Sequence, residues 1–390
     1  MTHPHPCIYC ILPPHMLEHI SLHGSQAQRE KADQTSQAAS KMRAQRVEKA
    51  APSPAAPATG AAARQRTVYN ADHLTGLPGR VVRSEGAPPT GDAAVDEAYD
   101  GSGATYDLFW EVYQRNSIDG RGMRLDSSVH YQVGYDNAFW NGAQMVYGDG
   151  DEDLPPAERL FNRFTIAMDV IAHELTHGVT QYTANLVYQS QPGALNESIS
   201  DVFGSLARQR ALGQSAAEAD WIIGKGLLSA NVSGVGLRSM KAPGSAYNDP
   251  VLGKDPQPGH MAGYVNTTSD SGGVHINSGI PNHAFYLAAA ELGGYAWEKA
   301  GRIWYTSLRD RFGLTTSFQQ AADLTYAVAG ELYGPNSLEQ QAIQKAWSGV
   351  GLSAGGPAPT PTPLPGPGGG TGSSSPGCLG GLLKLLGGQR

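Results

Sequence analysis

The pattern of hydrophobic and polar positions changes near Ala157. From residue 67 to residue 150, short apolar runs alternate with polar positions and turn residues, which predicts short β-strands such as Arg80–Arg83 and Val129–Val133. From Ala157 onward the pattern favours helices. The helices it predicts are Ala167–Gln181, Pro281–Leu292, Tyr295–Ser307, Ser317–Leu332 and Ser337–Val350. A mainly β lobe followed by a mainly α lobe predicts an α+β fold with a cleft between the lobes.

Both ends of the chain differ in composition from its middle. Residues 1–24 are rich in His, Pro and Leu, whereas residues 25–49 are charged, rich in Ala and Gln, and predicted to be helical. Ala50–Ala63 has the composition of an exposed linker that is open to proteolysis. We therefore divide the chain into five parts. They are residues 1–50, a linker at 51–66, an N-terminal lobe at 67–185, a helical C-terminal lobe at 186–353 and a tail at 354–390.

The tail begins with a Pro- and Gly-rich tether of a kind that does not pack. It ends with a short apolar patch that starts at Cys378. This composition favours a disordered tail, with membrane or partner contact as the alternative.

Composition also limits the class of protein. With 390 residues, of which 40% are hydrophobic, the chain has enough apolar material for a full core. Its net charge of −7 argues against a nucleic-acid partner and against a basic membrane-binding face. No apolar run approaches the roughly 18 residues of a membrane span. The three cysteines, Cys7, Cys10 and Cys378, lie outside the two lobes, so we expect no disulfide within them. We expect a monomer.

One five-residue motif carries the most chemical information. His173 and His177 lie four residues apart on the predicted helix Ala167–Gln181, so both imidazoles can reach one metal ion. Glu174 points to the side, where it can hold a water molecule bound to that ion. The pattern H-E-x-x-H arises by chance in roughly a few percent of chains of this size, so it needs further support.

A catalytic zinc takes three protein ligands and keeps one position open for water. Glu197 is well placed as the third ligand, because its segment indicates the start of a second helix after a turn at Pro192 and Gly193. Asp201 lies on the same face as Glu197 and can accept the free ring N–H of a zinc-bound histidine. The alternative for Glu197 and Asp201 is a pair of solvated helix charges.

Several sequence blocks together resemble the thermolysin family of neutral zinc metallopeptidases. They are residues 137–142 (NAFWNG), 145–150 (MVYGDG), 173–177 (HELTH), 196–201 (NESISD), 236–240 (GLRSM) and 270–279 (DSGGVHINSG). The resemblance covers about residues 67–352, with all blocks in order. Leu12–Ile20 resembles the short propeptide of the protealysin subgroup. The resemblance implies a bilobed fold with the zinc helix between the lobes, and a zinc-dependent endopeptidase acting on proteins and peptides.

The resemblance also implies a role for individual residues. It gives His173, His177 and Glu197 as zinc ligands, Glu174 as general base and proton shuttle, and Asp201 as the residue that orients His173. It gives Tyr188 and His275 as hydrogen-bond donors to the oxyanion, Asp270 as the partner of His275, and Arg238 as the ligand of a substrate carbonyl. It gives Asn137 and the backbone of Ala138 as the edge that holds the substrate as an added strand, with Trp140 on the same edge. It gives Val170, Ile223 and Leu237 as an apolar pocket, favouring cleavage on the amino side of Leu, Ile, Val or Phe.

Some of these residues have a plainer interpretation. Tyr188 can be a core aromatic, Arg238 a surface charge and Trp140 a packing residue. His275 lies in a glycine-rich polar loop, which is a poor place for a core histidine and favours a functional role. Two rival classes follow: an inactive zinc-binding relative, which would lack Glu174, His275 or Tyr188, and a protein whose function lies in its tail or N-terminal segment.

The N-terminal segment is expected to be a propeptide. It lacks the basic and apolar regions of a secretory signal, so we expect release without a recognisable signal, with a cytoplasmic location as the alternative. We expect residues 1 to about 60 to occupy the cleft as an intramolecular inhibitor, and to be cut off within Ala50–Arg66 by the enzyme itself. Cys7-x-x-Cys10 has two interpretations, a zinc ligand in the precursor or a packing role.

One departure from the family concerns calcium. In that family a paired calcium site stiffens the region around the zinc helix by means of several carboxylates. Asp169 and Asp220 fit this pattern, but Arg208, Ile222 and Lys225 occupy positions where the family has acids. Positive side chains would repel Ca²⁺, so we expect salt bridges there and no calcium.

Overall fold

The computed structural model describes residues 9–47 and 63–355, all within one unit that spans Met1–Ala358. The predictions for residues 51–62 of the linker, for Cys7 and for the tail beyond residue 355 lie outside the described residues. The last linker residue, Arg66, begins the strand that continues to Asn70. No described helix has the length and apolar character needed to cross a membrane.

A six-stranded mixed sheet forms the N-terminal lobe. Its strands are β1 (Tyr9–Cys10), β2 (Arg66–Asn70), β3 (Arg80–Ser84), β4 (Leu125–Val129), β5 (Ala138–Trp140) and β6 (Met145–Tyr147). Their order across the sheet is β1-β5-β6-β4-β2-β3. The pairs β2–β4 and β4–β6 are parallel, and the other pairs are antiparallel. The edge strand β1 belongs to the predicted propeptide.

Two predictions for this lobe are wrong. The strand expected over Val129–Val133 ends at Val129, because His130 and Gln132 take left-handed backbone angles with φ of 54° and 52° and the chain turns there. The pattern also missed the helix α3 (Ala93–Asp107), which is followed by a π-helical turn at Leu108–Val112. Asp92 caps α3 by accepting hydrogen bonds from two backbone N–H groups of its first turn.

Helices dominate the rest of the described chain, and the α+β prediction is confirmed. The N-terminal segment predicted to be a propeptide contributes α1 (Pro14–His23) and α2 (Gln26–Val47). Later come α4 (Met168–Gln181), α5 (Ser190–Leu212), α6 (Asp270–Asn277), α7 (Gly279–Leu292), α8 (Ala300–Asp310), α9 (Phe318–Tyr333) and α10 (Leu338–Gly349). Two short antiparallel pairs separate α5 from α6: β7 (Ile222–Ile223) with β8 (Arg238–Ser239), and β9 (Asn248–Asp249) with β10 (Gly253–Lys254).

Two helix starts differ from prediction. The helix expected from Tyr295 begins at Ala300, because the preceding residues form a turn in which the rings of Tyr295 and Trp297 stack 4.4 Å apart. The helix α5 begins at Ser190, so Pro192 and Gly193 lie inside its first turn rather than in a separate turn before it. Proline is tolerated there because the first N–H groups of a helix have no partner within the helix.

The helices α4 and α5 pack closely in the core; α4 is almost completely buried, and α5 is buried from Gly193 to Ala207. Their close approach depends on Gly204 of α5. A Cβ atom at Gly204 would lie 2.6 Å from the carbonyl oxygen of Asp169 and 3.3 Å from the backbone nitrogen of His173. A side chain here would push α5 away from the helix that carries the H-E-x-x-H motif.

Candidate active site

Three metal-ligating side chains converge between α4 and α5. The Nε2 atoms of His173 and His177 lie 3.0 Å apart, and they lie 3.5 and 3.4 Å from carboxylate oxygens of Glu197. A tetrahedral site with bonds of about 2.0–2.1 Å needs ligand atoms about 3.3 Å apart, so the spacing fits zinc. All three side chains are buried, and Glu197 Oε2 has no hydrogen-bond partner. The residues present therefore suit a zinc ion.

Hydrogen bonds fix the orientation of both imidazoles. His173 Nδ1 lies 2.8 Å from Asp201, and His177 Nδ1 lies 2.9 Å from the side-chain oxygen of Asn196. Asp201 also accepts hydrogen bonds from Arg238 and Asn282. Burial raises the pKa of Asp201, but the opposing effect of Arg238 and His173 is larger and lowers this pKa to about 2. Asp201 is therefore a carboxylate. Both Nε2 atoms are thereby turned toward Glu197.

Two of these contacts were not foreseen from the sequence. Asn196 lies beside Glu197 within the block at residues 196–201. Its position next to a predicted zinc ligand is the signal from which its contact with His177 could have been predicted. Asn282 lies on α7, far in sequence from the blocks that contain the predicted metal ligands. Its contact with Asp201 is seen only in the folded structure.

Glu174 is fully buried on the zinc helix, close to the edge strand β5. Its Oε2 accepts a hydrogen bond of 3.1 Å from the backbone N–H of Trp140, whereas its Oε1 has no partner. Burial raises the pKa of Glu174 well above its usual range. One oxygen is thus held in place and the other is available to exchange a proton.

A second cluster of donors borders the same centre. Tyr188 donates a hydrogen bond to Glu197 and lies 3.2 Å from His275 Nε2. His275 Nδ1 lies 2.6 Å from Asp270, which also accepts the backbone N–H of His275. Burial lowers the pKa of His275, but the charge of Asp270 raises it to about 9. A left-handed turn within α6, where Gly273 has φ of 75°, brings Asp270 and His275 together.

The predicted substrate edge binds part of the chain itself. In the antiparallel pairing of β1 with β5, Cys10 lies opposite Phe139. The pairing continues beyond β1, where the backbone N–H of Ile11 donates to the carbonyl of Ala138 and that of Leu12 donates to the side chain of Asn137. An extended segment therefore lies along this edge as an added strand.

The other side of this segment faces the predicted catalytic residues. The carbonyl of Cys10 lies 3.0 Å from His275 Nε2. The carbonyl of Ile11 accepts a hydrogen bond of 3.2 Å from Arg238, a residue that is buried and not the surface charge of the plainer interpretation. The residues expected to contact a substrate carbonyl thus contact carbonyls of residues 10 and 11.

The predicted pocket residues Val170, Ile223 and Leu237 are buried and belong to the main hydrophobic core. Ile223 pairs with Arg238 across β7 and β8, so one of the predicted pocket residues lies beside the arginine that binds the Ile11 carbonyl. Trp140 packs in the same core, and its indole N–H donates to Gln181.

Among the described residues, two groups of three side chains offer closely spaced metal-ligand atoms. One is the His173, His177 and Glu197 group, and the other consists of His73, His130 and Asp149. Neither group includes Cys10. Cys10 is buried and packs in a small hydrophobic cluster with Tyr135, Phe139 and Val146, as its packing interpretation expects.

Cations and carboxylates pair at the position where the family resemblance would place the paired calcium site. Arg208 lies 3.5 Å from Asp169 and 2.9 Å from Asp220, and Lys225 lies 2.8 Å from Asp220. Burial raises the pKa of Asp220, but hydrogen bonds from the two cations lower it to about 2. The salt bridges predicted from the sequence are present, and the expectation that no calcium binds there stays a prediction.

Two sequence profiles of known proteins match consecutive parts of the chain. The sequence profile of the thermolysin metallopeptidase catalytic domain matches residues 36–181, and that of the thermolysin metallopeptidase alpha-helical domain matches residues 184–352. The chain belongs to the thermolysin family of metallopeptidases. It is accordingly a metalloendopeptidase, and the resemblance seen in the sequence is confirmed.

Individual relatives match this chain over most of its length. An extracellular metalloprotease of Pectobacterium carotovorum subsp. carotovorum is 49% identical over 346 residues, which cover 88% of this chain and 96% of that protein. Protease PrtS of Photorhabdus sp. (strain Az29) is 52% identical over 290 residues, which cover 74% of this chain and 76% of that protein. Among solved structures, the precursor of protealysin, a metalloproteinase from Serratia proteamaculans, matches with a TM-score of 0.79 and 50% identity. That match covers 88% of this chain and all of that one. The chain is thus a thermolysin-family member of the protealysin type.

Proposed function

We propose that this chain is a zinc endopeptidase made as a zymogen, and that its N-terminal segment occupies the substrate site until it is cut off. The observation that carries this proposal is the path of residues 10–12. They lie as an added strand across Asn137 and Ala138, with their carbonyls on His275 and Arg238. A substrate peptide would take the same path after the segment leaves.

His173, His177 and Glu197 would hold the zinc ion. When bound, zinc supplies a coordinated water of lowered pKa and a positive charge that polarises the scissile carbonyl. The chain itself orients the ligands, since Asp201 and Asn196 fix the two imidazoles.

Glu174 is the proposed general base. Its unpartnered Oε1 accepts the proton of the attacking water, and its raised pKa suits it to carry that proton and release it to the leaving amine. The hydrogen bond from Trp140 holds the other oxygen, so the carboxyl stays beside the substrate edge while the proton moves.

Tyr188 and His275 are the proposed donors to the oxyanion. Both lie beside Glu197, and His275 already contacts a peptide carbonyl, that of Cys10. Asp270 keeps His275 protonated and oriented. Donors fixed in a buried site stabilise developing charge without reorganising, which is commonly the largest catalytic term.

Specificity and location rest on two further observations. Val170, Ile223 and Leu237 are buried apolar residues, and Ile223 lies opposite Arg238, which supports cleavage on the amino side of a bulky apolar residue. A relative at 49% identity is named an extracellular metalloprotease, which supports release from the cell. Digestion of a mixed peptide library checks the specificity; charged residues dominating after the cut would overturn it.

A casein digestion tests the proposed chemistry. We expect the processed protein to digest casein, to lose this activity with a zinc chelator and to regain it with added Zn²⁺. Glu174→Gln should bind zinc equally and lose at least a hundredfold in rate, because the general base is gone. The exposed Glu298 offers a matched control, Glu298→Gln, that should keep full activity. A chelator-insensitive activity, or a fully active Glu174→Gln, would refute the proposal.

Self-processing has its own test. The purified Glu174→Gln precursor should keep its N-terminal segment on a gel during an incubation in which the parent loses it. Loss of the segment from the purified variant would show that another protease makes the cut.

A further inference from the structure

A second group of metal-ligating side chains lies at one edge of the sheet, and the function proposed above does not use it. The strands β2, β4 and β6 are neighbours and run parallel, so their carboxyl ends meet at the same edge. His73 follows β2, His130 follows β4 and Asp149 follows β6. These three residues come together because of the topology, although 76 positions separate the first from the last.

Backbone hydrogen bonds hold the two histidines next to each other. The N–H of His73 donates to the carbonyl of His130 at 2.8 Å, and the N–H of Ala71 donates to the carbonyl of Val129. His73 and His130 both take left-handed backbone angles, with φ of 58° and 54°. Such angles cost energy for residues other than glycine, and here they turn both side chains toward Asp149.

The spacing of the ligand atoms resembles that of the proposed catalytic site. His130 Nδ1 lies 2.9 Å from each oxygen of Asp149, and His73 Nδ1 lies 3.5 Å from Asp149 Oδ2. The three ligand atoms all lie within 4.8 Å of one another. The corresponding distances in the His173, His177 and Glu197 group are 3.0, 3.4 and 3.5 Å. Both groups therefore consist of two imidazoles and one carboxylate whose ligand atoms lie close enough together to bind one ion.

The orientation of His130 is fixed by a carboxylate, as is that of His173 in the proposed catalytic site. Its Nε2 lies 3.0 Å from Asp92 Oδ2, as His173 Nδ1 lies against Asp201. A carboxylate on the far side of a ligating imidazole fixes its orientation and raises its basicity as a ligand. Asp92 is itself held, because its other oxygen caps α3.

A metal-free alternative exists for two of the residues. Hydrogen bonds with Asp149 raise the pKa of His130 to about 9, so a protonated His130 can bridge Asp149 and Asp92 without any ion. This alternative has no use for His73, whose side chain is 56% exposed and still lies with its Nδ1 beside Asp149. His73 therefore distinguishes a metal site from an ion pair.

We propose that His73, His130 and Asp149 form a second zinc site, separate from the catalytic one. Two imidazoles with one carboxylate favour zinc or a similar transition metal over calcium and magnesium, which prefer oxygen ligands. The exposed side of His73 leaves room for water as a fourth ligand. An ion here ties together the chain segments that follow three parallel strands, so its role is structural.

Zinc stoichiometry in the full-length Glu174→Gln protein, which cannot digest itself under the proposed mechanism, tests this inference. After equilibration with Zn²⁺ and removal of free metal, elemental analysis should find two zinc ions per chain. His73→Gln should bind one, and His260→Gln, at another exposed histidine, should bind two. His177→Gln should lose the other ion and keep the one at His73, so failure of the catalytic site and failure of this site are distinguishable. One ion in the parent protein with none lost in His73→Gln, or two ions retained in His73→Gln, would overturn the proposal.

A conservative variant gives a second measurement that does not depend on stoichiometry. Asp92→Asn keeps a side chain able to cap α3 but removes the charge behind His130. We expect it to weaken Zn²⁺ binding at this site 10- to 100-fold in a chelator competition, with α3 intact by circular dichroism. Unchanged affinity in Asp92→Asn and His73→Gln would show that the bound zinc lies elsewhere.

Discussion

His275 Nε2 lies 3.0 Å from the carbonyl oxygen of Cys10 and 3.2 Å from the hydroxyl of Tyr188. The groups proposed to stabilise the oxyanion therefore surround a carbonyl of the N-terminal segment. That carbonyl belongs to an added strand, as a substrate carbonyl would. The segment thus lies along the proposed substrate site, and the proposed catalytic groups are already arranged around a peptide.

Tyr188 offers the first test of this arrangement. Tyr188→Phe removes one donor and keeps the ring, so we expect kcat of the processed enzyme to fall about a hundredfold while KM changes little. Steady-state kinetics on a short apolar peptide measures both constants. Tyr295→Phe, at an exposed tyrosine, should leave both unchanged. A rise in KM with kcat intact would assign Tyr188 to substrate binding instead.

Lys31 of α2 connects the N-terminal segment to residues of the N-terminal lobe. Its ammonium group lies 3.2 Å from Asp151, donates to the carbonyl of Gly150 and pairs with Asp153. Lys31 and Asp151 are both buried. Removing one partner of a buried ion pair leaves the other charge uncompensated, which is strongly destabilising.

Lys31→Met should therefore weaken propeptide binding at least tenfold. The measurement uses the Glu174→Gln precursor with a specific protease site inserted between residues 51 and 62. After cleavage there, the parent propeptide should co-elute with the enzyme in gel filtration, and the Lys31→Met propeptide should separate from it. Arg29→Met, at an exposed position of the same helix, is the control and should co-elute. Equal retention of all three would mean that β1 alone holds the segment.

The metal ligands could be predicted because the decisive spacing is local. His173 and His177 lie one helical turn apart, and Glu197 and Asp201 lie one turn apart on the next helix, so each pair meets within its own element. The contacts of Asn282 with Asp201 and of His73 with Asp149 join distant segments. Contacts between distant segments leave no periodic pattern in the sequence, so they could not be predicted from it.

The prediction of secondary structure from the sequence failed where tertiary packing overrides the intrinsic propensity of the residues. The helix α3 carries Gly101 and Gly103, which disfavour a helix in isolation. A Cβ atom at Gly101 would lie 2.6 Å from Ile171 of α4, so the helix requires a small residue there in order to pack on the zinc helix. Near His130 the alternating pattern suggested a strand, but the hydrogen bonds of His130 with Asp92 and Asp149 hold a turn.

Calcium should have no effect on the stability of this enzyme at the paired site. The melting temperature of the Glu174→Gln precursor should be the same in Ca²⁺ and in a calcium chelator, because Arg208 and Lys225 neutralise Asp169 and Asp220. Replacing the two cations with Glu should lower the melting temperature without calcium and make it rise when calcium is added. A calcium-dependent rise of several degrees in the parent would contradict the prediction.

Asp169 and Asp220 belong to the same salt-bridge cluster, but we expect their contributions to stability to change in different pH ranges. Burial raises the pKa of Asp169 to about 6, whereas hydrogen bonds from Arg208 and Lys225 outweigh burial at Asp220 and lower its pKa to about 2. A folded-state pKa above the unfolded value of 3.8 means that the contribution of Asp169 to stability is present below pH 3.8. It is lost as pH rises through about 6. The contribution of Asp220 is present above pH 3.8 and is lost only as pH falls toward 2.

Denaturant unfolding of the Glu174→Gln precursor between pH 4 and pH 7 separates the two. Asp169→Asn mimics the protonated side chain, so its free energy of unfolding relative to the parent should rise across this range by on the order of 2–3 kcal/mol. Asp220→Asn should be less stable than the parent by a constant amount, because both pKa values of Asp220 lie at or below the start of the range. If the Asp169→Asn difference is flat while that of Asp220→Asn slopes, the charges of the cluster are distributed differently, and Arg208 neutralises Asp169 more completely than its 3.5 Å separation implies.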